Sequence, residues 1–187
     1  MIIYIHGFGG SGQGSKASVL RSLLKDQNFI APSLPTIPDL AIATLCELIE
    51  AFQNYEKVYL IGSSLGGYYS LYLAEKYNIP AVLINPAMHP YTTLERSLGE
   101  APNFYDLSSY EWSETHLNML KNFEIHNPNP SNYLLLLQKG DELLDYREAL
   151  DKLPSEKKIV EEGGNHSFMG IENHINTIVS FFNTEAK

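Results

Sequence analysis

Gly62-Ser63-Ser64-Leu65-Gly66 sets one hydroxyl between two glycines at the spacing G-x-S-x-G, the pattern of a nucleophile elbow. Before it, Lys57-Val58-Tyr59-Leu60-Ile61 is short, apolar and partly β-branched, which predicts a buried parallel strand. After it, the run from Leu65 to Tyr77 is long enough for a helix and apolar on nearly every side. A tight strand-to-helix turn strains its central residue, and a Cβ at either flanking position would meet the strand or the helix. Ser64 is the residue so lifted, at the positive end of the following helix. Ser63 occupies an x position, points back toward the strand side and is expected to hydrogen-bond locally.

A serine hydroxyl is a weak nucleophile until a base takes its proton, and that base is normally a histidine oriented by a carboxylate. After an elbow of this kind the chain order is Ser, then Asp or Glu, then His. His89, His116 and His126 fall in an irregular stretch and are expected at the surface or bracing that stretch. His6 precedes the serine, and His174 lies opposite the apolar stripe of the last helix, where it is expected to be solvated. His166 follows the last strand through Glu161-Glu162-Gly163-Gly164-Asn165 and precedes the last helix, which is where the base must hang. Of the nearby carboxylates, Asp145 is best explained as a helix N-cap. Asp141 follows Lys139-Gly140 at a strand exit, where an orienting aspartate belongs, and Glu142 is the fallback if the turn shifts by one residue.

The first loop supports two readings. Gly7-Phe8-Gly9-Gly10-Ser11-Gly12 satisfies G-x-G-x-x-G after a strand and before a helix, a dinucleotide fingerprint. That motif also wants an acidic residue at the end of the second strand, where Ala31-Pro32-Ser33 stands. Gly9 to Gly14 has P-loop spacing, but Ser15-Lys16 follows where Lys and then Ser or Thr is required. The competing reading is His6-Gly7 at a strand end, the start of an oxyanion loop whose N–H groups face an oxygen gaining charge. One such donor is typically worth about 3 kcal/mol of transition-state stabilisation. The elbow decides between them, because a dinucleotide-binding fold has no use for one. The N–H groups expected to meet the oxyanion are those of Phe8 and Leu65.

These residues need a sheet edge to hold them. Strands are expected at residues 1–5, 29–31, 57–61, 81–84, 133–137 and 158–160, with helices between them over 15–26, from 36 to about 52, 65–77, 145–153 and 168–182. Thr36 and Asp39 make a capping pair for the second of these helices. Strands alternating with helices predict an α/β fold with a doubly wound, mostly parallel sheet of about six strands. Residues 85–129 break the pattern with four prolines, several aromatics and one short helix near 114–122, and are expected to form a lid-like insertion in a single domain of 1–187. Within it Tyr91 and Trp112 are the expected substrate-binding aromatics.

Composition narrows the class. Hydrophobic residues at 44% and charged residues at 19% are the balance of a soluble globular chain. A net charge of −9 argues against a nucleic-acid or anionic-membrane partner. Cys46 is the single cysteine, which excludes an intrachain disulfide and fits a reducing cytoplasm; inside an amphipathic helix it is expected to be a buried thiol. No signal peptide or membrane-spanning run is apparent, so a cytoplasmic location is expected.

With Ser64, Asp141 and His166 placed, the chain resembles the YqiA/YcfP-like esterases, a small bacterial branch of the α/β-hydrolase superfamily. The matching stretches are Tyr4 to Phe8, Gly62 to Tyr69, Asn85-Pro86-Ala87, Gly140 to Arg147 and Glu162 to Phe168. The resemblance implies a minimal α/β-hydrolase fold lacking the first two strands of the larger one. It implies hydrolysis of acyl esters or thioesters by Ser64, Asp141 and His166, with no cofactor and no metal. Two other readings remain: a nucleotide-binding protein using loop 7–14, and a non-catalytic binding protein on a hydrolase scaffold.

Overall fold

The computed structural model describes residues 1–153, 155 and 157–185; residues 154, 156, 186 and 187 of the expected domain lie outside these. In chain order come β1 (Ile2–Ile5), α1 (Ser15–Leu23), β2 (Phe29–Ile30), α2 (Pro38–Gln53), β3 (Tyr59–Ser63), α3 (Leu65–Tyr77) and β4 (Ala81–Ile84). The irregular stretch holds α4 (Pro90–Thr93), β5 (Gly99–Pro102), β6 (Ser109–Trp112) and α5 (Glu114–Lys121). Then follow β7 (Tyr133–Gln138), α6 (Tyr146–Lys152), β8 (Lys158–Glu161) and α7 (Ile175–Glu185).

Six strands pair in the order β2-β1-β3-β4-β7-β8, every neighbour parallel. A parallel sheet is covered on both faces, so its strands read as continuous apolar runs. The two-residue period then splits them between two cores. Ile3, Ile5, Leu60, Leu83 and Leu135 face a core shared with α2, α3 and α5. Ile2, Tyr4, Ile61, Val82 and Leu134 face the other, built with α1 and α7. The strand order reverses between β1 and β3, and a crevice opens at the carboxyl ends of strands at such a switch point. The loops leaving β1 and β3 are the ones that carry the glycine-rich segment and Ser64.

Several local expectations are corrected. The Thr36–Asp39 cap does not form: Ile37 holds the N-cap position without a side-chain bond, and Pro38 opens α2. Proline at the first helical position has no N–H to satisfy and a φ already suited to the helix. The last helix starts at Ile175 rather than Phe168, after a 3₁₀ turn at Ile171–His174. Phe168 and Gly170 have φ of 58° and 77°, so the backbone turns there before a helix can begin. Cys46 is only half-buried, and its Sγ accepts from Lys76 Nζ at 3.2 Å. The irregular stretch also contains an antiparallel hairpin, β5 with β6. No helix among the described residues is long and apolar enough to cross a membrane.

Candidate active site

Ser64 sits at φ 55°, ψ −122°, a conformation that typically costs a non-glycine residue about 1–3 kcal/mol. Backbone bonds hold it there. Its N–H donates to Ile84 O at 3.1 Å, and its carbonyl accepts from Gly67 and Ala87 at 2.9 and 3.0 Å. The flanking glycines are required by contact. A Cβ on Gly62 would lie 2.2 Å from Gly66 O, and one on Gly66 would lie 2.0 Å from Ile5 O. Ser63 Oγ is buried and bonds Tyr4 Oη on the neighbouring strand at 3.1 Å, a partner distant in sequence where a local one was expected.

His166 bridges the serine to a carboxylate. Its Nε2 lies 3.0 Å from Ser64 Oγ, and its Nδ1 lies 2.8 and 3.0 Å from the two oxygens of Asp141. Asp141 Oδ1 also accepts from the N–H groups of Leu143 and Leu144 at 2.8 and 2.9 Å. Burial pushes the Asp141 carboxyl up, but the hydrogen bonds from His166, Leu143 and Leu144 outweigh it and hold the group below its ordinary value. An ionised acceptor on Nδ1 keeps the proton on that nitrogen, so Nε2 is free to accept from the hydroxyl. Glu142 bonds the His166 backbone N–H at 3.0 Å, not the ring. Asp145 caps α6 through the Arg147 N–H at 3.0 Å.

The loop carrying His166 is pinned by two residues to which sequence reasoning assigned no role. Gln138 Oε1 accepts from the N–H groups of Asn165 and Met169 at 3.1 and 2.9 Å. Asn85, at φ 39°, accepts from Gln138 N and donates to the Asn165 carbonyl at 3.0 Å. Asn85 stands in one of the stretches that carried the resemblance. Gln138 offered no signal beyond its place at a strand end.

The other histidines have other tasks. His6 accepts from Leu34 N–H through Nε2 at 3.0 Å, so Nδ1 carries the proton and donates to Gly7 O at 2.9 Å. Burial pushes its pKa down against a smaller upward pull from the Gly7 carbonyl, and the ring braces the first loop. His174 is not solvated: its Nε2 lies 2.9 Å from Glu161. His116 Nδ1 accepts from Ser113 N–H and its ring stacks on Trp112.

A cavity of about 430 Å³ opens on Ser64 and His166, and Gly7, Phe8 and Leu65 line it. Among the described residues no backbone hydrogen bond engages the Phe8 or Leu65 N–H. The stretch 85–129 contributes Pro90, Leu94, Arg96, Pro102 and Phe104 to the wall. Phe104 N–H donates to Gly9 O at 2.8 Å, which ties that stretch to the first loop.

The two expected substrate-binding aromatics are elsewhere. Trp112 is 1% exposed and packs edge-on against Phe8 at 4.8 Å between centroids. Tyr91 donates to Glu124 at 3.1 Å, outside the cavity wall. Trp112 packs the insertion onto the first loop through Phe8, whereas Tyr91 bonds His89 and Glu124 within the insertion itself. Among the described residues no cluster of His, Cys, Asp or Glu could hold a metal ion.

The model of the family described as Uncharacterised protein family (UPF0227) matches residues 1–183. The UPF0227 protein YcfP of Escherichia coli O9:H4 (strain HS) is 25% identical over 186 residues, covering 97% of this chain and 98% of that protein. Among solved structures, alpha/beta hydrolase domain-containing protein 10 from mouse superposes with a TM-score of 0.74 at 20% identity, covering 98% of this chain and 89% of its own. Est1E from Butyrivibrio proteoclasticus superposes with a TM-score of 0.75 at 14% identity, covering 100% and 88%. These likenesses place the chain in the α/β-hydrolase fold.

Proposed function

We propose that this chain, which belongs to the uncharacterised protein family UPF0227, is a serine hydrolase that cleaves small acyl esters or thioesters. The observation that carries this reading is the continuous hydrogen-bond chain from Ser64 through His166 to Asp141 at the floor of a cavity. Ser64 Oγ attacks the acyl carbon while His166 Nε2 takes its proton. Asp141 stabilises the imidazolium that results. The carbonyl oxygen gains charge as the carbon becomes tetrahedral, and the N–H groups of Phe8 and Leu65 receive it. His166 then returns the proton to the departing alcohol or thiol, leaving an acyl group on Ser64. Water enters and adds to the acyl carbon as His166 takes its proton, and His166 returns that proton to Ser64 Oγ as the second tetrahedral species collapses to the free acid.

The test is labelling with a fluorophosphonate, read by peptide mass spectrometry. An adduct on Ser64 in the native chain, absent from His166→Ala, is the expected result. A folded protein that resists the probe at Ser64 would refute the reading and leave a binding protein on a hydrolase scaffold.

A further inference from the structure

The chain carries 22 acidic residues against 13 Lys and Arg, yet the wall of the Ser64 cavity reverses that balance. It presents Lys16 and Arg96 and no aspartate or glutamate among the described residues. Lys16 also faces an adjoining cavity of about 440 Å³, lined with it by Ser11, Ser15 and Ser167 and again by no acidic side chain. Neither Lys16 nor Arg96 makes a salt bridge or hydrogen bond among the described residues. Arg96 is exposed, but Lys16 is half-buried. A cation taken partly out of water without an anion beside it is a costly arrangement. Burial pushes the Lys16 ammonium down to about 8, with the charge of Asp141 pulling it back up. A ligand anion would relieve that cost.

We propose that the molecule bound beside Ser64 carries a negatively charged group, a carboxylate or a phosphate, received by Lys16 with Arg96 as the second cation of the wall. The inference rests on the hydrolase reading for what is cleaved, and on the cavity wall for what is bound. It also accounts for the glycine-rich loop, whose phosphate-binding signatures are incomplete for a nucleotide. The same loop and the start of α1 form the wall around Lys16. Two positions for the anion are open to the chemistry. A phosphate on the leaving group would be read by one arm of the test, and a carboxylate at the far end of the acyl group by the other.

The experiment is calorimetric titration of the full-length Ser64→Ala protein with three thioesters. S-acetyl-N-acetylcysteamine is neutral, S-acetyl-4′-phosphopantetheine carries a phosphate at the far end of its leaving group, and S-glutaryl-N-acetylcysteamine carries a carboxylate at the far end of its acyl group. At least one charged thioester should bind about tenfold tighter than the neutral one, the size expected of one hydrogen bond to a charged group. Adding Lys16→Met should reduce that preference to about twofold, and Lys16→Arg should retain it; because the readout is a ratio, damage common to all three ligands cancels. Equal affinities for all three, or a preference that survives both Lys16→Met and Arg96→Met, would overturn the proposal. A retained charge preference in a chain whose native Ser64 neither cleaves these thioesters nor takes a fluorophosphonate would sink the hydrolase reading and leave the anion site standing.

Discussion

Asp141→Asn isolates the orienting carboxylate with almost no change of shape, and the structure dictates how the amide must sit. Oδ1 accepts from two backbone N–H groups, Leu143 at 2.8 Å and Leu144 at 2.9 Å, so the asparagine carbonyl takes that position. Its NH₂ group is thereby left where Oδ2 stood, 2.8 Å from His166 Nδ1. A donor in that place forces the proton onto Nε2, the nitrogen facing Ser64 Oγ at 3.0 Å. The imidazole can then no longer accept from the hydroxyl. The loss expected for a wrong tautomer is about four orders of magnitude in turnover, or about 5 kcal/mol of barrier. Because the two backbone bonds survive, the melting temperature should move by no more than about 4 °C, the shift that roughly 1 kcal/mol produces in a chain of this size. The assay pairs nitrophenyl ester turnover with thermal melting. Turnover above about one per cent of native in a protein that melts normally would refute the tautomer argument, as would a silent Glu142→Gln beside an active Asp141→Asn.

Asp145→Ala should keep its turnover and lose about 1 kcal/mol of stability, since that side chain caps α6; melting and kinetics together distinguish it from Asp141. Gly66→Ala places a Cβ 2.0 Å from the Ile5 carbonyl, a backbone atom that cannot swing aside, and should give either insoluble protein or a folded protein unreactive toward a fluorophosphonate. Trp112→Ala should cost about 3–5 kcal/mol of stability by urea unfolding while leaving the acyl-chain preference of the remaining folded enzyme unchanged. The Asp141 carboxyl is held below its ordinary value in the fold, so its ionised form stabilises the protein at pH above the unfolded group's value. That contribution is lost as pH falls through the lower folded value, and Asp141→Asn should therefore flatten the acid limb of a melting-temperature profile below about pH 4.

The amino-acid chain spells out on its own whatever short-range spacing controls. The short apolar runs alternating with helices and the Gly62-x-Ser64-x-Gly66 turn depend on neighbours within a few residues, so a parallel sheet and a raised hydroxyl are legible in the chain directly. Asp141 and His166 follow from the chain order Ser, Asp, His together with their place at the carboxyl ends of strands, and the structure brings them to Ser64 across 77 and 102 residues of chain. Local rules failed where a residue's partner is distant and its type ambiguous. Trp112 reads as ligand surface or as core, and its burial against Phe8, far away in sequence, decides for core. The Thr36 cap lost to Pro38 because a preset φ competes with a side-chain bond at the same helix start. Asn85 and Gln138 brace the His166 loop through contacts that join three strand ends, a relation with no periodic trace in the chain. The cationic wall around Ser64 belongs to the same kind: Lys16 and Arg96 lie in segments with three of the six strands between them in the chain, and only folding brings their charges to one cavity and leaves the abundant carboxylates outside it.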